Sequence, residues 1–272
     1  MPRFAANLSM MFGEVPFLDR FQAAADAGFE AVEFLFPYDY PPEAVAEALR
    51  GAGLRQVLFN LPPGDWARGE RGLAALPERA SEFRQSVGMA LDYARVLDAP
   101  NLHMMAGLAS PSDPAAVSAY LDALRFAADA AGKAGRTLLI EPINRRDMPG
   151  YFLDDFGRAA EFVDRLGHPY LKFQFDIYHR QILHGDVLKG LAAAMPVIGH
   201  VQIASVPERH EPGTGELDDF RIFAALDALG YEGWVGCEYR PAGGTPDGLG
   251  WLRRARAAAG EDVAPHNPGE AF

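Results

Sequence analysis

Short apolar runs alternate with longer segments whose apolar residues fall on one stripe, and this alternation repeats along the chain. The strand candidates are "RFAANLSM" (3–10), "AVEFLF" (31–36), "RQVLFNL" (55–61) and "NLHMMA" (101–106), followed by "TLLIEPI" (137–143), "LKFQFDI" (171–177), "VIGHVQI" (197–203) and "GWVGCEY" (233–239). Each is rich in leucine, aromatic or β-branched residues and is bounded by Gly, Pro or polar breakers, the pattern of buried strands. Between them, "PFLDRFQAAADAG" puts Leu18, Phe21 and Ala25 on one stripe and stops at Gly28, a normal C-terminal helix signal. "PEAVAEALRGAG", "ERASEFRQSVGMALDYARVLDA", "PAAVSAYLDALRFAADAAGKAG", "DFGRAAEFVDRLG", "DVLKGLAAAM", "DDFRIFAALDALG" and "GLGWLRRARAAAG" repeat the helical pattern.

Eight β-then-α units with no linker or low-complexity break predict one closed (β/α)8 TIM barrel over residues 1–260, with 261–272 as a loose tail. An open doubly wound sheet is the competing architecture, but no GxGxxG follows the first strand.

In such a barrel the active site sits at the C-terminal ends of the strands. Strand 5 ends at Glu141, strand 6 at Asp176, strand 7 at Gln202 and strand 8 at Glu238, so successive strands bring three carboxylates and an amide to one rim. A lone acid at a strand end is more often a surface or ion-paired group. A row of them, each closing an apolar run, is harder to read that way. Buried carboxylates repel one another and are costly to desolvate, and a divalent cation removes both difficulties. All-oxygen donors favour Mg2+ or Mn2+ over zinc. Glu141 and Glu238 also suit proton chemistry: a cation that polarises a carbonyl acidifies the adjacent C–H and stabilises the enediolate, one glutamate removing the proton and a glutamate returning it to the next carbon. Spacing does not separate ligand from base, so each Glu stands as both.

The loops add further groups. His179, in "DIYH", is placed to contact a substrate oxygen, against the alternative of a capping or packed histidine. Arg209 and His210 lie in "SVPERHEPGTGE", where a small carboxylate could be held; Arg145 and Arg146 compete for that task, or are solvated. The segment 60–73, with Trp66, Arg68 and Arg71, reads as a lid, a subunit contact or an ordered surface loop. His103 stands evenly between substrate contact and core, and His184 and His200 read as structural. Cys237 neighbours Glu238, so strand alternation turns it away from the barrel interior. "PAGGTPDG" could hold a phosphate, but a plain turn is the better reading. Phe36, Tyr38 and Tyr40 hint at a contact surface and a homo-oligomer.

Composition narrows the class. The chain has 272 residues and a formal net charge of −12, which argues against general nucleic-acid binding, although net charge does not describe a single cleft. With one cysteine there is no disulfide framework. "MPRFAANLSM" has no long apolar core of a secretory leader, and no apolar run approaches the roughly 20 residues of a membrane span. The expectation is a cytoplasmic protein with a small-molecule partner, no nucleic acid and no membrane.

The chain resembles the hydroxypyruvate isomerase family within the xylose-isomerase-like barrels over nearly its whole length. The resemblance is carried by "EVPFLDRFQAAADAGFEAVEFLFPYDYP" (14–41), "NLPPGDWARGERGL" (60–73), "EPINRRDMPGYFL" (141–153), "FQFDIYH" (173–179), "GHVQIASVPERHEPGTGE" (199–216) and "GCEYRP" (236–241). The strand-end acids alone indicate the superfamily; the second motif and the "HVQIA" to "RHEP" segment are more specific. The resemblance implies a metal held by Glu141, Asp176, Gln202 and Glu238, the two glutamates as acid–base pair, and substrate roles for His179 and Arg209. Gln202, where sugar 3-epimerases of the superfamily usually carry histidine, tilts it toward the isomerase branch. The expected reaction interconverts hydroxypyruvate and tartronate semialdehyde. Another small oxo acid such as 2-oxo-tetronate, or a ketose 3-epimerisation on the same site, is the alternative. A multi-zinc DNA-repair nuclease and a non-catalytic sugar-acid binder are the more distant ones.

Overall fold

The computed structural model describes residues 1–258 and 260; the predicted tail, 261–272, lies outside them. The strands are β1 (Arg3–Asn7), β2 (Ala31–Phe34), β3 (Arg55–Asn60), β4 (Asn101–His103), β5 (Thr137–Ile140), β6 (Leu171–Asp176), β7 (Ile198–Ile203) and β8 (Trp234–Cys237). All neighbouring pairs are parallel, and β1 closes onto β8 from Arg3↔Trp234 to Ala6↔Cys237, so the sheet is a complete barrel rather than an open one. The helices around it are α1 (Arg20–Asp26), α2 (Pro42–Gly51), α3 (Ala80–Leu97), α4 (Pro114–Lys133), α5 (Phe156–Leu166), α6 (Ile177–Leu183), α7 (Val187–Ala194), α8 (Asp219–Ala228), α9 (Thr245–Gly248) and α10 (Gly250–Ala258). Among the described residues, no helix is long and apolar enough to cross a membrane.

Local chemistry sets several boundaries. Asp113 caps α4 by accepting from Ala115 N, and Pro114 starts the helix where its missing N–H costs nothing. Asp155 caps α5 by accepting from Arg158 N, and Gly167, at φ 55°, closes it in a conformation other residues adopt reluctantly.

Alternation along the strands then divides the interior. Phe4, Val32, Phe34, Phe59, Phe173, Phe175, Val235 and Cys237 face the helices and form the main core. Ala5, Ala31 and Leu139, with Val57 and Leu58, form a separate small cluster. Two residues further along the same strand face come Asn7, Glu33 and Glu141, all buried. The barrel axis is thus apolar first and polar toward the C-terminal rim, which makes that rim the place for chemistry.

Several strands stop sooner than their apolar runs do. Met104–Ala106, Glu141–Ile143 and Glu238–Tyr239 leave the paired ring and enter loops. The predicted strand over 171–177 ends at Asp176, and Ile177 instead opens α6, an element the apolar pattern does not reveal. Asp176 Oδ1 accepts from Tyr178 N at 2.7 Å and His179 N at 3.3 Å, so one side chain both ends a strand and caps a helix.

Candidate active site

Glu141 follows β5, Asp176 closes β6, Gln202 sits one residue before the end of β7 and Glu238 follows β8. All are buried. One potential donor atom from each of Glu141, Asp176, His179 and Glu238 lies within 4.8 Å of all the others. Burial, and then the negative charges of Glu238 and Asp176, push the Glu141 carboxyl well above the usual carboxylate range. Burial likewise raises Asp176 and Glu238, each partly offset by the Arg209 guanidinium. Ionising three desolvated acids beside one arginine is therefore costly without a further counter-charge, and Glu141 Oε1 has no hydrogen-bond partner. Asp176 still has Oδ2 available after capping α6. The donor set and the orphaned oxygen fit a hard divalent cation.

His179 belongs to this group by position, but its bonding gives it a different part. Its Nδ1 accepts from the backbone N–H of Asn144 at 3.3 Å, a group that can only donate, and pairs with Asn144 Nδ2 at 2.7 Å. Nδ1 is therefore the acceptor and Nε2 carries the hydrogen. Nε2 lies 3.6 Å from Asp176 Oδ2 and 4.0 Å from Glu141 Oε1. Burial and the nearby Arg209 charge lower its pKa well below the usual value, so the ring is a neutral N–H donor beside the carboxylates.

Gln202 is held from below. Its Nε2 donates to Glu33 Oε1 at 2.8 Å, and its Oε1 accepts from Gln174 Nε2 at 2.6 Å. Glu33, when ionised, only accepts, so it draws the NH2 of Gln202 and turns the amide oxygen the other way. Glu33 also takes Asn7 Nδ2 at 3.0 Å and His200 Nε2 at 2.7 Å. Neither Glu33 nor Gln174 was among the predicted site residues. The signal for Glu33 was a charged residue inside the apolar run "AVEFLF", and His200, read as structural, is one of its partners.

The acids open into a cavity of about 780 Å³ lined by His103, Tyr178, His179, Arg209, Trp66 and Arg71 among others. His103 is buried, its pKa lowered to about 3 by burial, and its Nε2 stands unbonded 3.7 Å from Glu141 Oε2. Arg209 adopts φ 58°, a strained value for a residue with a side chain, and its Nη2 bonds Glu238 Oε2 at 2.6 Å while Nη1 reaches Asp147 Oδ2 at 3.3 Å. Its guanidinium lies over the Tyr178 ring, 4.8 Å from the centroid.

Other predicted groups are placed elsewhere. Arg145 turns outward to Asp154, 2.6 Å away, and is not in the cavity lining. His210 Nδ1 donates to Arg240 O at 2.8 Å and is likewise absent from the lining. In the "PAGGTPDG" loop the backbone N–H of Thr245 bonds Glu14, and that of Ala242 bonds Glu211, so the chain's own carboxylates occupy the amides that would meet a phosphate. Tyr38 and Tyr40 are half-buried, Tyr38 bonding Asn60 O and Tyr40 stacking on Phe17.

Residues 21–255 match the family described as xylose isomerase-like TIM barrel. The 2-oxo-tetronate isomerase of Cupriavidus necator is 56% identical over 255 residues, 93% of this chain and 98% of that protein. The hydroxypyruvate isomerase of Escherichia coli is 44% identical over 93% of this chain and 98% of that protein. Among solved structures, a Brucella melitensis chain named AP endonuclease, family 2 superposes with a TM-score of 0.92 at 50% identity, over 93% of this chain and 99% of that one.

Proposed function

As this chain belongs to the xylose isomerase-like TIM barrel family and is an isomerase, we propose that it interconverts hydroxypyruvate and tartronate semialdehyde (2-hydroxy-3-oxopropanoate). Glu141 and Glu238 are the proton-transfer pair in this reading, and Glu141, Asp176, Gln202 and Glu238 hold Mg2+ or Mn2+. The observation that carries it is the convergence of three buried carboxylates from separate strands on one small volume beside a neutral histidine.

When bound, the cation would polarise the substrate carbonyl and make the adjacent C–H acidic. One glutamate carboxylate takes the proton from C3, leaving an enediolate over C2 and C3. A glutamate then delivers a proton to C2, while the hydroxyl proton on O3 relocates to O2. C3 becomes the aldehyde and C2 the carbinol, with no atom gained or lost. His179 Nε2–H donates to a substrate oxygen. Arg209 pins the Glu238 carboxylate through Nη2, so that a group needed for proton transfer does not swing into solvent.

A second reading, 2-oxo-tetronate, uses the same shift between C2 and C3 on a longer acid. The 780 Å³ cavity, ample for more than three carbons, and the name of the 56% identical relative favour it. A nuclease reading, prompted by the name of the Brucella chain, finds no support in a net charge of −12, where phosphate backbones call for a basic face.

The test is proton exchange in deuterated water, followed by NMR, over hydroxypyruvate, 2-oxo-tetronate and ketohexoses with and without Mg2+ or Mn2+. Cation-dependent turnover of an oxo acid with solvent deuterium in the product is expected. Preference for a ketohexose would overturn the oxo-acid assignment.

A further inference from the structure

An oxo-acid substrate brings a carboxylate that the proton-transfer groups do not address, and an arginine fork is the side chain best suited to meet it. The arginines in the cavity lining are Arg71, Arg209 and Arg240. Arg209 is committed to the protein itself. Its Nε donates to Glu238 O at 3.3 Å, Nη1 to Asp147 Oδ2 and Nη2 to Glu238 Oε2. Drawing it to a substrate carboxylate would release a buried acid from its counter-charge.

Arg71 is in the opposite condition. Its guanidinium stacks on the Trp66 ring, 3.8 Å from the centroid, and Trp66 in turn packs on Phe36 with ring centroids 5.1 Å apart. Nη1 donates to Trp66 O at 3.1 Å and Glu70 O at 2.7 Å, which accounts for both of its hydrogens. Nε and Nη2, the side-on fork that matches a carboxylate, have no acceptor among the described residues. The group is half-buried, fixed on one edge and free on the other, and it lines the same cavity as Glu141 and Glu238. Arg240 also lines the cavity, but it is exposed and no contact holds its guanidinium among the described residues. A pre-oriented fork loses less conformational entropy on binding than a free chain does.

We propose that Arg71, held by Trp66, is the specificity-determining residue that takes the substrate carboxylate in a bidentate pair. The inference rests on the oxo-acid reading of the site and deepens it. It separates two tasks: Arg209 steadies the acids, and Arg71 selects acid substrates over uncharged ketoses of the same length.

The test uses the Mn2+-supplemented full-length protein and its Arg71→Gln, Arg71→Lys and Arg240→Gln variants. Binding of D-glycerate and of glycerol is measured by calorimetry, alongside KM and kcat for hydroxypyruvate. Losing a charge-assisted pair should weaken D-glycerate binding in Arg71→Gln by about 10- to 100-fold. KM for hydroxypyruvate should rise by a similar factor with a smaller change in kcat, and Arg71→Lys should recover part of the loss. Unchanged D-glycerate binding in Arg71→Gln, a loss confined to Arg240→Gln, or a wild type that does not prefer D-glycerate to glycerol would each overturn the assignment. Should the wild type bind D-glycerate through Arg71 yet isomerise no oxo acid, the proposed reaction falls and the carboxylate subsite stands.

Discussion

The Glu33 carboxylate fills the space inside the barrel that a side chain at position 236 would need: a Cβ on Gly236 would fall onto both Glu33 oxygens. One strand leaves out a side chain so that another can bury an acid at the axis. Gly236→Ala should therefore destabilise the fold, because the clash involves a carboxylate already fixed by Asn7, Gln202 and His200. Overpacking of this sort costs about 1–3 kcal/mol. A thermal melt of the variant should shift down by several degrees, and an unchanged midpoint would show that the barrel accommodates the methyl group.

Glu33→Gln tests the support beneath Gln202. The substitution keeps the shape but removes the acceptor-only character that sorts the Gln202 amide, and it places an NH2 among groups that themselves donate. Mn2+ affinity should drop, in the range of about 10- to 100-fold seen when the groups that orient metal ligands are changed. Titration of the cation by electron paramagnetic resonance reads this directly, without turnover. Equal affinity in wild type and variant would separate Glu33 from the ligand set.

Glu141→Gln and Glu238→Gln should each lower kcat by about 10²–10⁴ at saturating Mn2+, the usual scale of a lost general acid or base. Solvent deuterium incorporation into substrate should fall with turnover. Either variant retaining wild-type exchange would exclude that residue from proton transfer.

Asp219, the first residue of α8, gives a pH-dependent prediction away from the acid cluster. Its carboxylate accepts from Gly213 N at 2.5 Å and thereby ties the loop bearing Arg209 and His210 to a helix, and burial pushes its pKa up to about 6. An unfolded aspartate titrates near about 4, so between about pH 4 and pH 6 the folded chain holds a proton that the unfolded chain has released. The stabilising contribution is complete below that window and is lost as pH rises through it. Asp219→Asn, which cannot titrate, should lack this component. The stability of the variant relative to wild type should rise from pH 4 to pH 7 in urea melts, and a constant difference would contradict the linkage.

The barrel was legible because its strands are continuous apolar runs and its helices carry one-sided stripes, both visible without neighbours. Glu141, Asp176, Gln202 and Glu238 were legible for a related reason: each interrupts an apolar run where the ring of strands ends. What the pattern could not supply was pairing across the ring. Arg209 and Glu238 are 29 positions apart in sequence, and nothing local says that their side chains meet. Arg145, one residue after Asn144, looked equivalent to Arg209 as a cation near a strand end, yet it pairs with Asp154, which does not line the cavity. α6 was hidden because Asp176 reads as the last residue of a strand, and its second use as a cap depends on backbone geometry. Glu33 was hidden because one acid in an apolar run is indistinguishable from a surface position until the strand's inward face is known.

The carboxylates of Glu14 and Glu211 seated on the loop after β8 bear on how this enzyme would behave among the crowded metabolites of a cell. A sugar phosphate approaching that loop meets like charge where other barrels offer bare amides. To dock there it would have to evict two of the protein's own acids.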